Sequence, residues 1–186
     1  MHAQTCPWAN TSPLMQEYHD HEWGRPVHDD RLLFEFLILE GMQAGLSWEI
    51  ILKRREGMRA ALDGFDPHAI ADYSSDKIQS LMENPDIIRN RRKLNALVQN
   101  ARAFLDVQRK HGSFDTFVWS FVDFTPVLNT WTRDNPPPAQ TPASQALSRA
   151  LKALGFAFVG PTICYAFMQA VGMVNDHIVG CPARKV

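Results

Sequence analysis

No run in this sequence approaches the roughly 18–20 consecutive apolar residues that a helix needs to cross a bilayer, and Met1 to Ser12 contains no basic stretch followed by an apolar one. A cytoplasmic protein with no membrane partner is therefore expected. Cysteine is scarce as well: the three present cannot all pair, which excludes a disulfide framework as the main support of the fold. There is no excess of positive charge. A formal net charge of -1 gives no whole-molecule attraction to a polyanion. Any nucleic-acid contact must come from a local patch, and Arg89, Arg91, Arg92 and Lys93 form one. Convincing strand alternation and repeats at a solenoid period are both missing.

What is present is helical. The 186 residues, 45% of them hydrophobic, suit one compact domain over residues 1–186, and the fold class expected is all-α. Asp30 can cap a helix in which Leu32, Leu33, Phe34, Phe36, Leu37 and Leu39 leave little polar surface, with Glu40 ending the apolar run. Gly41 to Leu46 then reads as a short connection to a helix that starts at Ser47 and runs through Trp48 into Lys53-Arg54-Arg55. Asp66-Pro67 and Ser75-Asp76 signal two short helices, and Asn84-Pro85 stops the second. A long helix from about Ile87 to Lys110 follows, closed by His111-Gly112. Arg133 to Pro138, with three prolines in a row, is a stiff exposed connector. Thr141-Pro142 opens a helix striped by Leu147, Leu151 and Leu154 and ended by Gly155, and another begins near Pro161.

Four features carry chemistry. The glycines of Gly155-Phe-Ala-Phe-Val-Gly160 let backbone amides approach a phosphate at the start of the next helix, which makes Gly160 and Thr162 candidate DNA-binding residues in a helix-hairpin-helix. An ordinary helix pair would show the same spacing. Cys6 and His19, with His177 and Cys181, supply two thiolates and two imidazoles, enough for a closed tetrahedral zinc site; unrelated buried thiols are the alternative. A catalytic zinc of the deaminase type would need a histidine-x-glutamate and a cysteine-x-x-cysteine, and neither occurs. Glu40, close to Gln43 and Trp48 at the end of an apolar helix, is in an expensive place for a carboxylate and is the candidate for active-site chemistry; an exposed helix-end glutamate is the alternative. Trp8, Tyr18, Trp23 and Trp48 concentrate flat side chains suited to stacking on a nucleobase in the first quarter of a chain that is 10% aromatic.

Three ordered motifs, Tyr18-His-Asp-x-Glu-Trp-Gly24, Leu39-Glu-Gly-x-Gln-Ala-Gly-Leu-Ser-Trp48 and Asn175-Asp-His-x-Val-Gly-Cys181, resemble the 3-methyladenine DNA glycosylase I family. The similarity continues through Ile87-Ile-Arg-Asn-Arg, Phe117-Val-Trp-Ser-Phe121, Thr141-Pro-Ala-Ser144 and Phe158-Val-Gly-x-Thr-Ile-Cys-Tyr165, nearly the whole chain in order. It implies a compact helix-hairpin-helix glycosylase that excises 3-methyladenine from double-stranded alkylated DNA as a monomer and releases the free base. It further implies one structural zinc per chain on Cys6, His19, His177 and Cys181, joining the termini. Glu40 would hydrogen-bond the flipped base as the catalytic residue, Tyr18 and Trp48 would stack on it, and Trp8 and Trp23 would complete the pocket. Gly45 and Leu46 would fill the gap left in the duplex. Many helix-hairpin-helix glycosylases stabilise the sugar cation with an aspartate after the second helix. Here the nearest, Asp176, lies beside His177 and is expected not to be catalytic. Met15 stands where some members carry a tyrosine, and Asp86 where a glycine commonly precedes the paired isoleucines. The competing class is a non-catalytic zinc-containing helical DNA-binding module, and a metal-dependent hydrolase is a third.

Overall fold

The computed structural model describes residues 5–185; Met1–Gln4 and Val186, the two ends of the expected domain, lie outside it. The described residues are mostly helical: α1 (Pro13–His21), α2 (Asp30–Gln43), α3 (Trp48–Ala61), α4 (Pro67–Ala71), α5 (Ser75–Glu83), α6 (Arg91–His111), α7 (Phe114–Trp119), α8 (Pro142–Ala153) and α9 (Pro161–Ala170). α2 is the hub, packing against α3, α6, α7 and α9, and Leu33 to Met42 are all buried. A helix apolar on every side can only sit inside a shell of others. No helix among the described residues is long and apolar enough to cross a membrane.

Helix starts follow side-chain caps, and this is where the structure departs from the sequence reading. Ser47, Asp66 and Thr141 cap α3, α4 and α8 as expected. α2, however, is capped by Asp29, whose carboxylate accepts from the Leu32 amide at 2.8 Å. Asp30 instead accepts from the Phe114 and Asp115 amides at 2.9 and 2.7 Å, so it serves the first turn of α7 alongside that helix's own cap, Ser113. Ser74, not Ser75, caps α5. α6 begins at Arg91 rather than near Ile87, because Asn90 provides its cap. α2 also runs three residues beyond Glu40, so Gly41 to Gln43 are helical and only Ala44 to Ser47 connect it to α3. Gly41 belongs in the helix because a Cβ there would lie 3.4 Å from that of Phe158, letting α2 pack closely on the α8–α9 turn.

One pairing escaped the pattern. β1 (Val127–Leu128) and β2 (Val174–Asn175) form a parallel pair, in register Val127 to Val174 and Leu128 to Asn175. Two-residue strands are too short to show alternation. Their effect is positional: β2 leads directly into Asp176 and His177, and β1 into the proline connector, so the pair sets the C-terminal segment beside that connector.

Candidate active site

Glu40 lies in the last turn of α2 and is 4% exposed, which rules out the exposed helix-end alternative. No hydrogen bond to its carboxyl is present among the described residues. Burial alone pushes its pKa up from 4.5 to about 8. An unpaired carboxyl at this depth is retained at a cost.

Glu40 lines a cavity of about 540 Å³ that Trp8, Tyr18, Trp23, Trp48, Met15 and Gln43 also line. The Tyr18 and Trp48 rings have centroids 5.4 Å apart, tilted by 49°. Trp8 meets Trp23 edge-on at 4.9 Å. Burial, and secondarily the Glu40 charge, hold the Tyr18 hydroxyl well above its ordinary pKa, so it stays a neutral donor. The Trp48 indole Nε1–H is buried without a partner among the described residues. The cavity therefore combines flat apolar walls with a carboxyl and an uncommitted N–H, a combination that suits a planar heterocycle with polar edges.

Sequence reasoning missed one wall. Thr132, Arg133 and Pro136 to Pro138 line the same cavity; proline density signals a stiff backbone but not where it packs. Asp176 explains the placement. It is 1% exposed; its Oδ1 accepts from Asn129 Nδ2 at 2.6 Å and Trp131 Nε1 at 2.9 Å, and its Oδ2 from the Tyr165 hydroxyl at 2.5 Å and Gln169 Nε2 at 2.8 Å. Four donors commit both oxygens to holding the connector against α9, which leaves the carboxylate little capacity for a reacting sugar.

Beside this cavity, Cys6, His19, His177 and Cys181 are buried with one donor atom each, all within 4.8 Å of one another, an arrangement that could hold a metal ion. The outward ring nitrogens are oriented: His19 Nδ1 donates to Asp20 Oδ1 at 2.7 Å and His177 Nε2 to the Trp23 carbonyl at 3.0 Å. Burial lowers the His177 pKa to about 4, leaving the imidazole neutral, and raises that of Cys6 to about 12. Trp23 packs edge-on to His177 at 4.7 Å and Trp8 to His19 at 5.2 Å, so the cluster buttresses the aromatic wall. Glu40 is not part of it.

On the outer surface, Gly45 is exposed with φ of 80° and Leu46 is half-buried. Gly160 opens α9 with no side-chain cap, unlike α1 to α8, and Thr162 is exposed beside it. The basic patch needs correction. Arg89, Arg91 and Arg92 are exposed, but Lys93 is buried, its Nζ donating to the carbonyls of Met42 and Ala44. Asp86 adopts no positive φ, so a residue other than glycine fits there without strain. Its close neighbour carries the constraint instead: a Cβ on Gly57 would lie 2.5 Å from the Asp86 carbonyl oxygen.

A family model described as methyladenine glycosylase matches residues 8–185. The chain is 48% identical over 178 residues to DNA-3-methyladenine glycosylase 1 of Escherichia coli, covering 96% of this chain and 95% of that protein. Its fold matches a crystal structure of 3-methyladenine DNA glycosylase I with a TM-score of 0.94 at 50% identity, covering 98% of this chain and 100% of that one. A structure addressing 3-methyladenine recognition by the Staphylococcus aureus 3-methyladenine DNA glycosylase I gives a TM-score of 0.95 at 34% identity, covering 99% and 98%.

Proposed function

Because the chain belongs to the methyladenine glycosylase family, we propose that the Glu40 cavity is where an extruded 3-methyladenine nucleotide is held while its base is released. The chain is a base-excision repair glycosylase that hydrolyses the N-glycosidic bond of 3-methyladenine in alkylated DNA. The observation that carries the cavity assignment is the buried Glu40 carboxyl, without a countercharge, beside the Tyr18 and Trp48 rings. A non-catalytic DNA-binding module gains nothing from that costly burial.

The reaction follows from the chemistry of the lesion. Methylation at N3 makes the nucleotide cationic. Breaking the bond from C1′ to the base sends its electron pair to the base, which leaves neutral, while positive charge develops on the sugar and water adds to C1′ with loss of a proton. No acid is needed to protonate the leaving group. The duplex hides the bond, so the nucleotide must first swing out, at a cost of a few kcal/mol that is lower for a damaged base. Leu46, on the exposed turn at Gly45, offsets part of that cost by filling the gap. Stacking on Trp48 and Tyr18, worth about 1–3 kcal/mol per base, combines with a hydrogen bond to Glu40 to favour the methylated base over adenine. Trp8 and Trp23 complete the wall. Contacts to Glu40 accelerate the step to the extent that they strengthen as the bond breaks.

DNA docking falls to the α8–α9 pair, read as a helix-hairpin-helix. The uncapped start of α9 at Gly160 and Thr162 leaves backbone N–H groups for a phosphate. Arg89, Arg91 and Arg92 add charge. The protein acts as a single-domain monomer in the cytoplasm.

Zinc fits the four-residue cluster. Regular tetrahedral sites with bonds of about 2.3 Å to sulfur and about 2.0–2.1 Å to nitrogen place ligand atoms roughly 3.3–3.8 Å apart. Here His19 Nε2 and His177 Nδ1 are 3.1 Å apart, Cys181 Sγ lies 3.5 and 3.7 Å from them, and Cys6 Sγ lies 3.9 Å from His177 Nδ1, with all four atoms within 4.8 Å of one another, so that Cys6 would close on an ion by moving inward by about 1 Å. Two thiolates and two neutral imidazoles with oriented outer nitrogens form a closed set, leaving no position for a reactive water. The metal would supply a cross-link between the termini, and a metal-dependent hydrolase is disfavoured.

Glu40→Gln tests the reading: single-turnover excision of 3-methyladenine from alkylated duplex is expected to fall at least tenfold, about 1.4 kcal/mol. Unchanged excision would remove Glu40 from the mechanism.

A further inference from the structure

Lys93 breaks two local rules. Lysine is almost never fully buried, yet Lys93 is 7% exposed. It also occupies the first turn of α6, where a positive charge opposes the helix dipole. Its ammonium is elsewhere in the electrostatics of the fold: Nζ donates to the Met42 carbonyl at 2.7 Å and the Ala44 carbonyl at 2.7 Å. Those are end-of-helix carbonyls of α2, which lack intrahelical partners and carry the negative end of that helix's dipole. A lysine misplaced on its own helix is thus well placed on another.

The site it grips is the short connection between the two catalytic walls. Glu40 lies just before it on α2 and Trp48 just after it on α3. The connection itself is sparsely held. Gly45 is exposed, with nothing within 4 Å of where a Cβ would stand. The Leu46 amide donates to the Gln43 carbonyl at 2.7 Å, and Gln43 Nε2 donates to the Leu46 carbonyl at 2.9 Å. The two preceding residues of the same α6 turn, Arg91 and Arg92, are exposed. One turn of α6 therefore presents cations outward to solvent and one cation inward to the loop.

We propose that Lys93 is a positioning residue for base extrusion, its ammonium clamping the carbonyls of Met42 and Ala44 so that the Gly45-Leu46 turn enters the duplex in one fixed geometry when α6 docks on the phosphates. This rests on the reading of Leu46 as the residue that fills the gap. Lys93 acts on the turn and not on the chemistry, because the Glu40 carboxyl is perturbed by burial and not by a lysine charge.

Lys93→Met keeps the aliphatic stem and removes the donor. Excision from alkylated duplex is expected to fall at least tenfold, while affinity for free 3-methyladenine, read by fluorescence titration, changes less than threefold. In a Leu46→Ala background the same substitution is expected to cost less than threefold, since two residues acting through one element are not additive. Lys93→Gln, which retains one donor, is expected to give an intermediate loss and carries the same cycle should Lys93→Met fail to fold. Equal losses in both backgrounds, parallel loss of 3-methyladenine affinity, or undiminished excision by Lys93→Met would each overturn the proposal. Leu46→Ala alone separates the two readings: full activity in that single variant removes the gap-filling role, independently of what Lys93→Met does to wild-type excision.

Discussion

Nε2 of His19 lies 3.1 Å from Nδ1 of His177, across 158 positions of sequence. Two imidazoles that approach this closely with their inner nitrogens unprotonated repel through their lone pairs unless something electrophilic lies between them. Their outer nitrogens already donate to Asp20 and Trp23, so the inner ones are free to accept. The pair therefore belongs to a cluster that could hold a metal ion, at the junction of the two chain ends and against the tryptophans of the cavity.

The purified protein is expected to hold one zinc per chain by elemental analysis. Zinc-finger peptides owe about 10–16 kcal/mol of apparent folding energy to their metal, but a core this extensive does not depend on it to that degree. Stripping with a strong chelator should therefore lower excision before it lowers helical circular dichroism, because Trp8, Tyr18 and Trp23 lie in or next to the segment pinned by Cys6 and His19. Lost helix with intact activity would contradict this order.

Activity should depend on pH through Glu40. With a pKa of about 8, the carboxyl is mostly neutral at pH 7 in the free protein. The ionised form attracts a cationic base, so kcat/KM for methylated DNA is expected to rise from pH 6 to pH 9 with a midpoint near 8. In Glu40→Gln the remaining activity should lack that rise. A wild-type profile flat across this range would remove the ionised carboxylate from recognition.

Stability should show the opposite trend. The folded carboxyl keeps its proton up to about pH 8, whereas the unfolded chain releases it near 4.5. The folded state is therefore favoured most below pH 4.5, and this advantage is lost as pH rises through 8. Each pH unit between those values is worth about 1.4 kcal/mol. Glu40→Gln removes the effect, so its stabilisation over wild type in urea unfolding is expected to be larger at pH 9 than at pH 6 by about 2.7 kcal/mol, the two units between pH 6 and the folded pKa. An equal difference at both values would show that the carboxyl is hydrated in the folded protein.

The elements that were legible in the sequence are those fixed by local chemistry. Ser47 and Thr141 cap the helices that follow them, and the apolar run of α2 is buried as its composition requires. What was illegible depends on contacts distant in the chain. Asp29 and Asp30 are indistinguishable as caps until α7 arrives to take Asp30. Lys93 reads as one more cation of a surface patch, because nothing local announces the end of α2 lying beside it. The proline connector becomes a cavity wall only through the grip of Asp176 on Asn129 and Trp131. The four metal-binding candidates were nameable from residue type, but their closure into one cluster is a property of the folded chain.

α1 is held in place by one buried arginine. Arg55, on α3 and 7% exposed, donates from Nε to Glu35 Oε1 at 2.6 Å and from Nη1 to Glu22 Oε2 at 2.6 Å, with its guanidinium 5.0 Å from the Phe36 ring centroid. Glu22 is the C-terminal cap of α1 and immediately precedes Trp23, so this one side chain ties the aromatic segment to α2 and α3. Removing one partner of a buried pair costs about 3–5 kcal/mol, chiefly because the other charge is left unpaired. Arg59 still donates to Glu35 after such a change, which places Arg55→Met at the low end, about 3 kcal/mol in urea unfolding. Base affinity should fall with it, since Tyr18 and Trp23 lose their fixed register. Arg55→Met combined with Glu35→Leu removes both charges and should recover most of the stability but not the base affinity, because the link to Glu22 stays broken. Recovery of both would place the anchoring of α1 elsewhere.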